Sequence, residues 1–160
     1  MRFGIGFDIH PLIQGRKLVL GGVEIPFERG LDGWSDADVL THAIMDALLG
    51  AAAMGDIGVH FPPGKPEYKD VSSLKLLAEV GQKLTDNGWH IENIDATIIT
   101  EKPRMREYID KMRQQLGTTL DLHINQVNIK ASTANGVGSI GHGDGIAALA
   151  IASIAKTTKT

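Results

Sequence analysis

Cysteine is absent from the 160 residues. That excludes disulfides and thiolate metal sites, and it leaves His, Asp and Glu as the strong metal ligands. Aromatic residues make up only 5% of the chain, so a core must come from the Ile, Leu, Val and Ala that dominate its 42% apolar content. There is no Lys/Arg block, the net charge is −3 and the pI is near 6.0. A nucleic-acid partner is therefore not expected. No apolar run is long enough to span a bilayer, so no membrane partner is expected either. The opening Met1-Arg2-Phe3-Gly4 does not lead into the apolar stretch of a signal peptide, so the expected location is cytoplasmic. Also missing are a G-x-x-x-x-G-K-[ST] phosphate loop, a dinucleotide fingerprint and a G-x-S-x-G elbow. The length suits one domain over 1–160.

What is present reads as alternating strands and helices. Residues 2–10 (RFGIGFDIH) alternate as a strand, and 17–20 with 23–27 read as a hairpin around Gly21-Gly22. Residues 28–34 read as a glycine-punctuated loop. A helix is predicted at about 36–54, with Ser35 as N-cap and Asp38 as a capping-box acid. Residues 55–70 read as a loop, 71–86 as an amphipathic helix, 89–100 as a strand, about 105–116 as a third helix and 126–133 as a strand. Residues 134–145 are glycine-rich. The tail at 145–156 (GIAALAIASIAK) fits a helix by its alanines and a strand by its period of two. This order predicts one mixed α/β (α+β) sheet covered by helices.

Asp8 and His10 stand two apart on the first strand, so their side chains share one face and can offer an oxygen and a nitrogen to one ion. A polar pair on a surface strand has the same spacing. His42 lies in the first helix with Asp38 four residues before it and Asp46 four after. Either carboxylate could then orient the imidazole of a metal ligand, or all three could simply form a polar helix face. Two histidines and one aspartate suit Zn²⁺ in a three-ligand site with an open fourth position.

Features for anions are less specific. Ser35 at a helix start and the Gly55-Asp56-Ile57-Gly58 turn can present backbone N–H groups. Lys130, Ser132 and Thr133 at a strand end suit phosphate oxygens, and equally an ordinary polar strand end.

Several segments together resemble the 2-C-methyl-D-erythritol 2,4-cyclodiphosphate synthase family. They are GIGFDIHPL (4–12), LVLGGVEIPFERGL (18–31), SDADVLTHAIMDALLGAAAMGDIGVHFP (35–62), NIDATIITEKPRM (93–105), VNIKAST (127–133) and GHGDGIAA (141–148). The resemblance implies a single-domain α/β (α+β) fold with a mixed four-stranded sheet, helices on one face, and a strand for the tail. It also implies a homotrimer with sites between neighbouring subunits. Asp8, His10 and His42 match the family's Zn²⁺ ligands. The implied substrate is 4-diphosphocytidyl-2-C-methyl-D-erythritol 2-phosphate, which yields the cyclic diphosphate and CMP.

Residue by residue, the resemblance implies substrate contacts from Asp8, Ile9, His10, Trp34 and Ser35. Asp56, Ile57 and Gly58 match the turn that holds the methylerythritol part, followed by Phe61, Pro62, Pro63, Gly64 and Lys65. Thr100, Glu101, Lys102, Pro103, Arg104, Met105 and Arg106 match the cytosine pocket. Ser132, Thr133, Ala134 and Asn135 lie by the phosphates, with Thr133 matching the catalytic transition-state stabiliser. Ser139 and His142 fall in the glycine-rich loop. The chain departs from the family at several points. Trp34 stands at the position of a catalytic-site His, and Asn135 replaces the Glu that binds a second ion, Mg²⁺ or Mn²⁺. Pro63 and Lys65 replace acids, and Ser139 and His142 replace Phe and Arg. A Zn²⁺ phosphoesterase acting on nucleotides, or a non-catalytic trimer that binds nucleotide or metal, would use the same ligand set.

Overall fold

The computed structural model describes residues 1–157. In chain order the elements are β1 (Arg2–Gln14), β2 (Leu18–Leu20), β3 (Val23–Ile25), β4 (Arg29–Leu31), α1 (Val39–Ala52) and α2 (Ile57–His60). There follow α3 (Ser73–Asp86), β5 (Trp89–Ile99), α4 (Ile109–Leu120), β6 (Val127–Ser132), α5 (Gly138–Gly141) and β7 (Gly145–Lys156). The main sheet is mixed, in the order β4-β1-β7-β5-β6, and β2 pairs with β3 in a separate hairpin. β5 and β6 run parallel with α4 between them, while the other neighbours are antiparallel. The sheet thus has five strands rather than four. The extra one is the short edge β4, inside the segment read as a loop. Its three residues are strand because they pair with Leu12, Ile13 and Gln14 of β1.

The tail is strand β7, as the resemblance implies. Its alanines favour a helix in isolation, but β1 and β5 pair with it on either side and take up its backbone groups. Ile146, Ala148, Ala150, Ala152 and Ile154 face inward and are buried. α1 lies over β1 and β7, and α3 and α4 continue the layer over β5 and β6. Small residues let α1 approach closely. A Cβ on Gly4 would meet Ala47 O at 2.0 Å, and one on Gly6 would meet Ala43 O at 1.9 Å. The other face of β1 and β7 carries Phe3, Ile5, Phe7, Ile9, Leu149 and Ile151, all exposed.

Two helix starts differ from expectation. α1 begins at Val39, with Asp38 rather than Ser35 as its cap, because Ala37 adopts φ +56° and takes the chain off the helical path. α4 begins at Ile109, since Met105 and Tyr108 close a separate turn through Tyr108 N and Met105 O at 2.9 Å.

Candidate metal centre

β1 and the first turn of α1 place three side chains against one another. Asp8 Oδ2 lies 3.0 Å from His10 Nε2 and 2.9 Å from His42 Nδ1. All three ligand atoms lie within 4.8 Å of one another, the one group of this kind among the described residues. Around a tetrahedral ion with bonds of about 2.0–2.1 Å, neighbouring ligand atoms sit about 3.3 Å apart. The two distances from Asp8 are therefore close to those within a coordination shell.

The far side of each ring shows which nitrogen faces the centre bare. His10 Nδ1 lies 2.5 Å from the carbonyl oxygen of Asp32, so it carries hydrogen and donates. His42 Nε2 lies 2.9 Å from Ser73 Oγ and 3.2 Å from Ser35 Oγ. With hydrogens on those outer nitrogens, two imidazole lone pairs point at a carboxylate oxygen. That is repulsive unless a cation sits between them. Without a metal ion, protons on the inner ring nitrogens can fill that role: burial pushes the Asp8 carboxyl up, but hydrogen bonds from His10 and His42 in their charged forms, and their charges, outweigh it and hold the group well below the usual carboxylate range. Burial likewise lowers His10, and Asp8 outweighs it so that the imidazole is held above its ordinary value. The donor set therefore fits a divalent metal ion, which would replace the proton.

Neither Asp38 nor Asp46 reaches the second nitrogen of His42, contrary to the reading in which one of them orients the imidazole. Asp38 precedes the helix, and its buried carboxylate receives Gly21 N, Gly22 N, Thr41 N and Thr41 Oγ1 at 2.7–3.0 Å. It ties the hairpin turn to the helix start, where it takes up Thr41 N. Asp46 Oδ1 receives Ile57 N at 2.8 Å. This anchors the Asp56-Ile57-Gly58 turn beside the metal site, and it engages one of the N–H groups read as free for anions. Burial raises the Asp46 carboxyl above its ordinary value. The partner that sequence reasoning missed is Ser73, at the start of α3. No spacing rule links positions 42 and 73.

A hollow of about 240 Å³ opens over the three ligands. Its walls include Asp8, His10, Trp34, Ser35, His42, Ile57, Gly58, Phe61 and Pro63, with Met45, Tyr68 and Leu76 added by the fold. Trp34 does not point its N–H into this space. Nε1 donates to the carbonyl of Lys65 at 2.8 Å and ties down the loop that carries Pro62, Pro63, Gly64 and Lys65.

The second group of predicted residues lies elsewhere. Thr100, Glu101, Pro103, Arg104, Met105, Arg106, Ser132 and Thr133 line another hollow of about 220 Å³. The carbonyl of Lys102 accepts from Thr100 Oγ1 at 2.7 Å. Glu101 Oε1 accepts from Ala134 N at 2.9 Å and Gly136 N at 3.3 Å, and Asn135 Oδ1 accepts from Thr133 Oγ1 at 3.2 Å. Lys130 is ion-paired with Asp95 of β5 rather than held free for phosphate. Register gives the separation. Asp8 pairs with Ala148, Ala148 with Ile98, and Ile98 with Ala131. Three strand spacings make about 14 Å between the two hollows. Ile9 points to the uncovered sheet face, where Ser139 joins it and His10 around a shallow hollow that His142 does not line.

The fold and this centre define an α/β protein with a candidate divalent-metal site and a second, separate hollow on one mixed sheet. Residues 1–155 match the model of the YgbB family, and the chain belongs to that family. It is 58% identical over 154 residues to the 2-C-methyl-D-erythritol 2,4-cyclodiphosphate synthase of Lachnospira eligens, covering 96% of this chain and 84% of that protein. Among solved structures it matches the bifunctional IspDF of Campylobacter jejuni with a TM-score of 0.94 and 35% identity. That match covers 99% of this chain and 42% of the bifunctional one. It also matches IspF of Plasmodium falciparum in complex with CDP, with a TM-score of 0.86 and 27% identity, covering 98% and 97% of the two chains.

Proposed function

We propose that this chain is a cyclodiphosphate synthase of the non-mevalonate isoprenoid pathway. It is a cytoplasmic phosphorus–oxygen lyase that converts 4-diphosphocytidyl-2-C-methyl-D-erythritol 2-phosphate to 2-C-methyl-D-erythritol 2,4-cyclodiphosphate and CMP. The observation that carries the reading is the meeting of Asp8, His10 and His42 in a hollow, in a chain 58% identical to a relative of that name. The whole chain, 1–160, acts as one synthase domain.

An oxygen of the 2-phosphate forms a bond to the β-phosphorus, the bond from that phosphorus to the bridging oxygen breaks, and CMP leaves with that oxygen. No water is consumed. A phosphomonoester has a second pKa of about 6, so the nucleophile is already largely dianionic and needs no general base. The remaining obstacles are repulsion between anions and the folding of the substrate into a ring. Asp8, His10 and His42 would hold Zn²⁺, which would supply positive charge to phosphate oxygens. Ser35 Oγ accepts from Ala37 N at 3.2 Å and stands beside an imidazole N–H, so its own hydrogen is left to donate into the hollow. Thr133 turns its hydroxyl from Asn135 Oδ1 to donate to oxygens that gain charge. Asp56, Ile57 and Gly58 hold the methylerythritol part, and Thr100 to Arg106 hold the cytosine. Asn135 can offer a second ion, Mg²⁺ or Mn²⁺, an amide oxygen but no charge.

The two hollows lie about three strand spacings, about 14 Å, apart in one chain. A homotrimer brings the cytidine half-site of one subunit against the metal half-site of its neighbour. The bare apolar face of β1 and β7 supports this assembly.

Phosphorus NMR of the protein with the named substrate, Zn²⁺ and Mg²⁺ tests the reading. The expected outcome is equal amounts of CMP and a cyclic diphosphate. A linear phosphate product would instead indicate a hydrolase, and bound nucleotide without turnover would indicate a non-catalytic trimer.

A further inference from the structure

His42 is backed by a line of contacts that leads away from the hollow. Its Nε2 meets Ser73 Oγ at 2.9 Å. Ser73 is fully buried, and its hydroxyl donates to Asp36 Oδ1 at 2.5 Å while its backbone N–H donates to Asp36 Oδ2 at 2.9 Å. Asp38 N also donates to Asp36 Oδ1, at 3.2 Å. The chain that carries Asp36 is itself held, by Asp36 N on the carbonyl of Val71 at 3.1 Å.

These contacts set the direction of every hydrogen. A carboxylate only accepts, and serine has one hydroxyl hydrogen. With that hydrogen committed to Asp36, Ser73 presents only lone pairs to His42. His42 must then carry its hydrogen on Nε2 and face Asp8 with a bare Nδ1, the form a metal requires. We propose that Asp36 and Ser73 form a positioning relay that locks the tautomer of His42 and so sets the metal affinity of the centre. This rests on the reading of Asp8, His10 and His42 as metal ligands, and not on which reaction follows.

The relay makes an asymmetric prediction. Ser73→Ala removes the best acceptor for Nε2–H but leaves Ser35 Oγ at 3.2 Å, which already receives Ala37 N. The tautomer is loosened, not reversed. Asp36→Asn goes further. If the amide oxygen keeps the Ser73 N–H, the amide nitrogen donates to Ser73 Oγ. The serine hydrogen must then turn to His42 Nε2, which drives the imidazole hydrogen onto Nδ1, between the ring and Asp8. The flipped amide puts two donors face to face at Ser73 N, a closer contact at 2.9 Å than the one the first orientation makes with Asp38 N at 3.2 Å.

The test is chelator competition with Co²⁺ on intact protein, paired with nitrogen NMR of the histidine rings in the metal-stripped and Zn²⁺-loaded protein. Wild-type His42 is expected to show hydrogen on Nε2. Ser73→Ala should bind Co²⁺ about 10-fold more weakly, and Asp36→Asn up to about 100-fold, the range for loss of such outer contacts. In Asp36→Asn the hydrogen should appear on Nδ1. Unchanged affinity in both variants, or equal losses with the hydrogen still on Nε2, would overturn the relay while leaving the metal site intact. A wild-type His42 whose Nε2 carries no hydrogen would overturn it without any variant. Wild-type protein that takes up no Co²⁺ would overturn the metal reading and the relay together.

Discussion

Two nitrogen lone pairs and a carboxylate oxygen aimed at one point form an arrangement that only a cation relieves. Asp8, His10 and His42 make this arrangement, and the hydrogen bonds behind both rings hold it in place. The residue types and the two-residue spacing of Asp8 and His10 made that part legible in sequence. The outer contacts were not legible. Asp38 and Asp46 sit at helical spacing from His42, yet one caps the helix and the other holds a turn. Ser73 comes from another element altogether. Trp34 shows the same limit, because the resemblance put it at a catalytic-site position and its N–H instead holds Lys65. Trp34→Phe keeps the ring and removes that hydrogen bond, worth about 1 kcal/mol. Faster amide exchange across 61–69 and a raised KM, with kcat little changed, are the expected results. An unaltered exchange pattern would show that the loop does not depend on the indole.

At the scale of elements, the metal centre depends on how closely α1 lies on β1, since one carries His42 and the other Asp8 and His10. Gly4 and Gly6 make that approach possible. In Gly6→Ala the added carbon must push the helix off Ala43 O, an overpacking cost of about 1–3 kcal/mol. Thermal unfolding should report a lower Tm, and the same variant should bind metal more weakly because Asp8 and His42 are moved apart. A lower Tm with unchanged metal affinity would show that the centre does not depend on this packing. Strand and helix periodicities revealed most elements, including β1, β5 and β6. They could not decide β7, whose alanines satisfy both patterns until two neighbouring strands are in place. Nor could they find β4, whose three residues are strand only through their pairing with β1.

Across the whole molecule, the sheet keeps its helices on one side and leaves an apolar face on the other. Phe3, Ile5, Phe7 and Ile9 alternate along β1, beside Leu149 and Ile151 of β7. This face and the separation of the two hollows both fit a homotrimer with sites shared between subunits. Ile5→Asp would place a carboxylate in that interface while leaving the helix-covered core untouched. Analytical ultracentrifugation should then show a folded monomer in place of the proposed trimer, with turnover lost although each chain still binds metal. An intact trimer in that variant would put the interface elsewhere.

The central claim is that one divalent ion per chain, held by Asp8, His10 and His42, is needed for turnover. Elemental analysis of Zn²⁺-equilibrated protein, run beside the phosphorus NMR assay on wild type and His42→Ala, tests it most directly. The prediction is one ion per chain and cyclic product in the wild type, and neither in a variant that remains folded. His42→Ala protein that keeps both its ion and full turnover would contradict it.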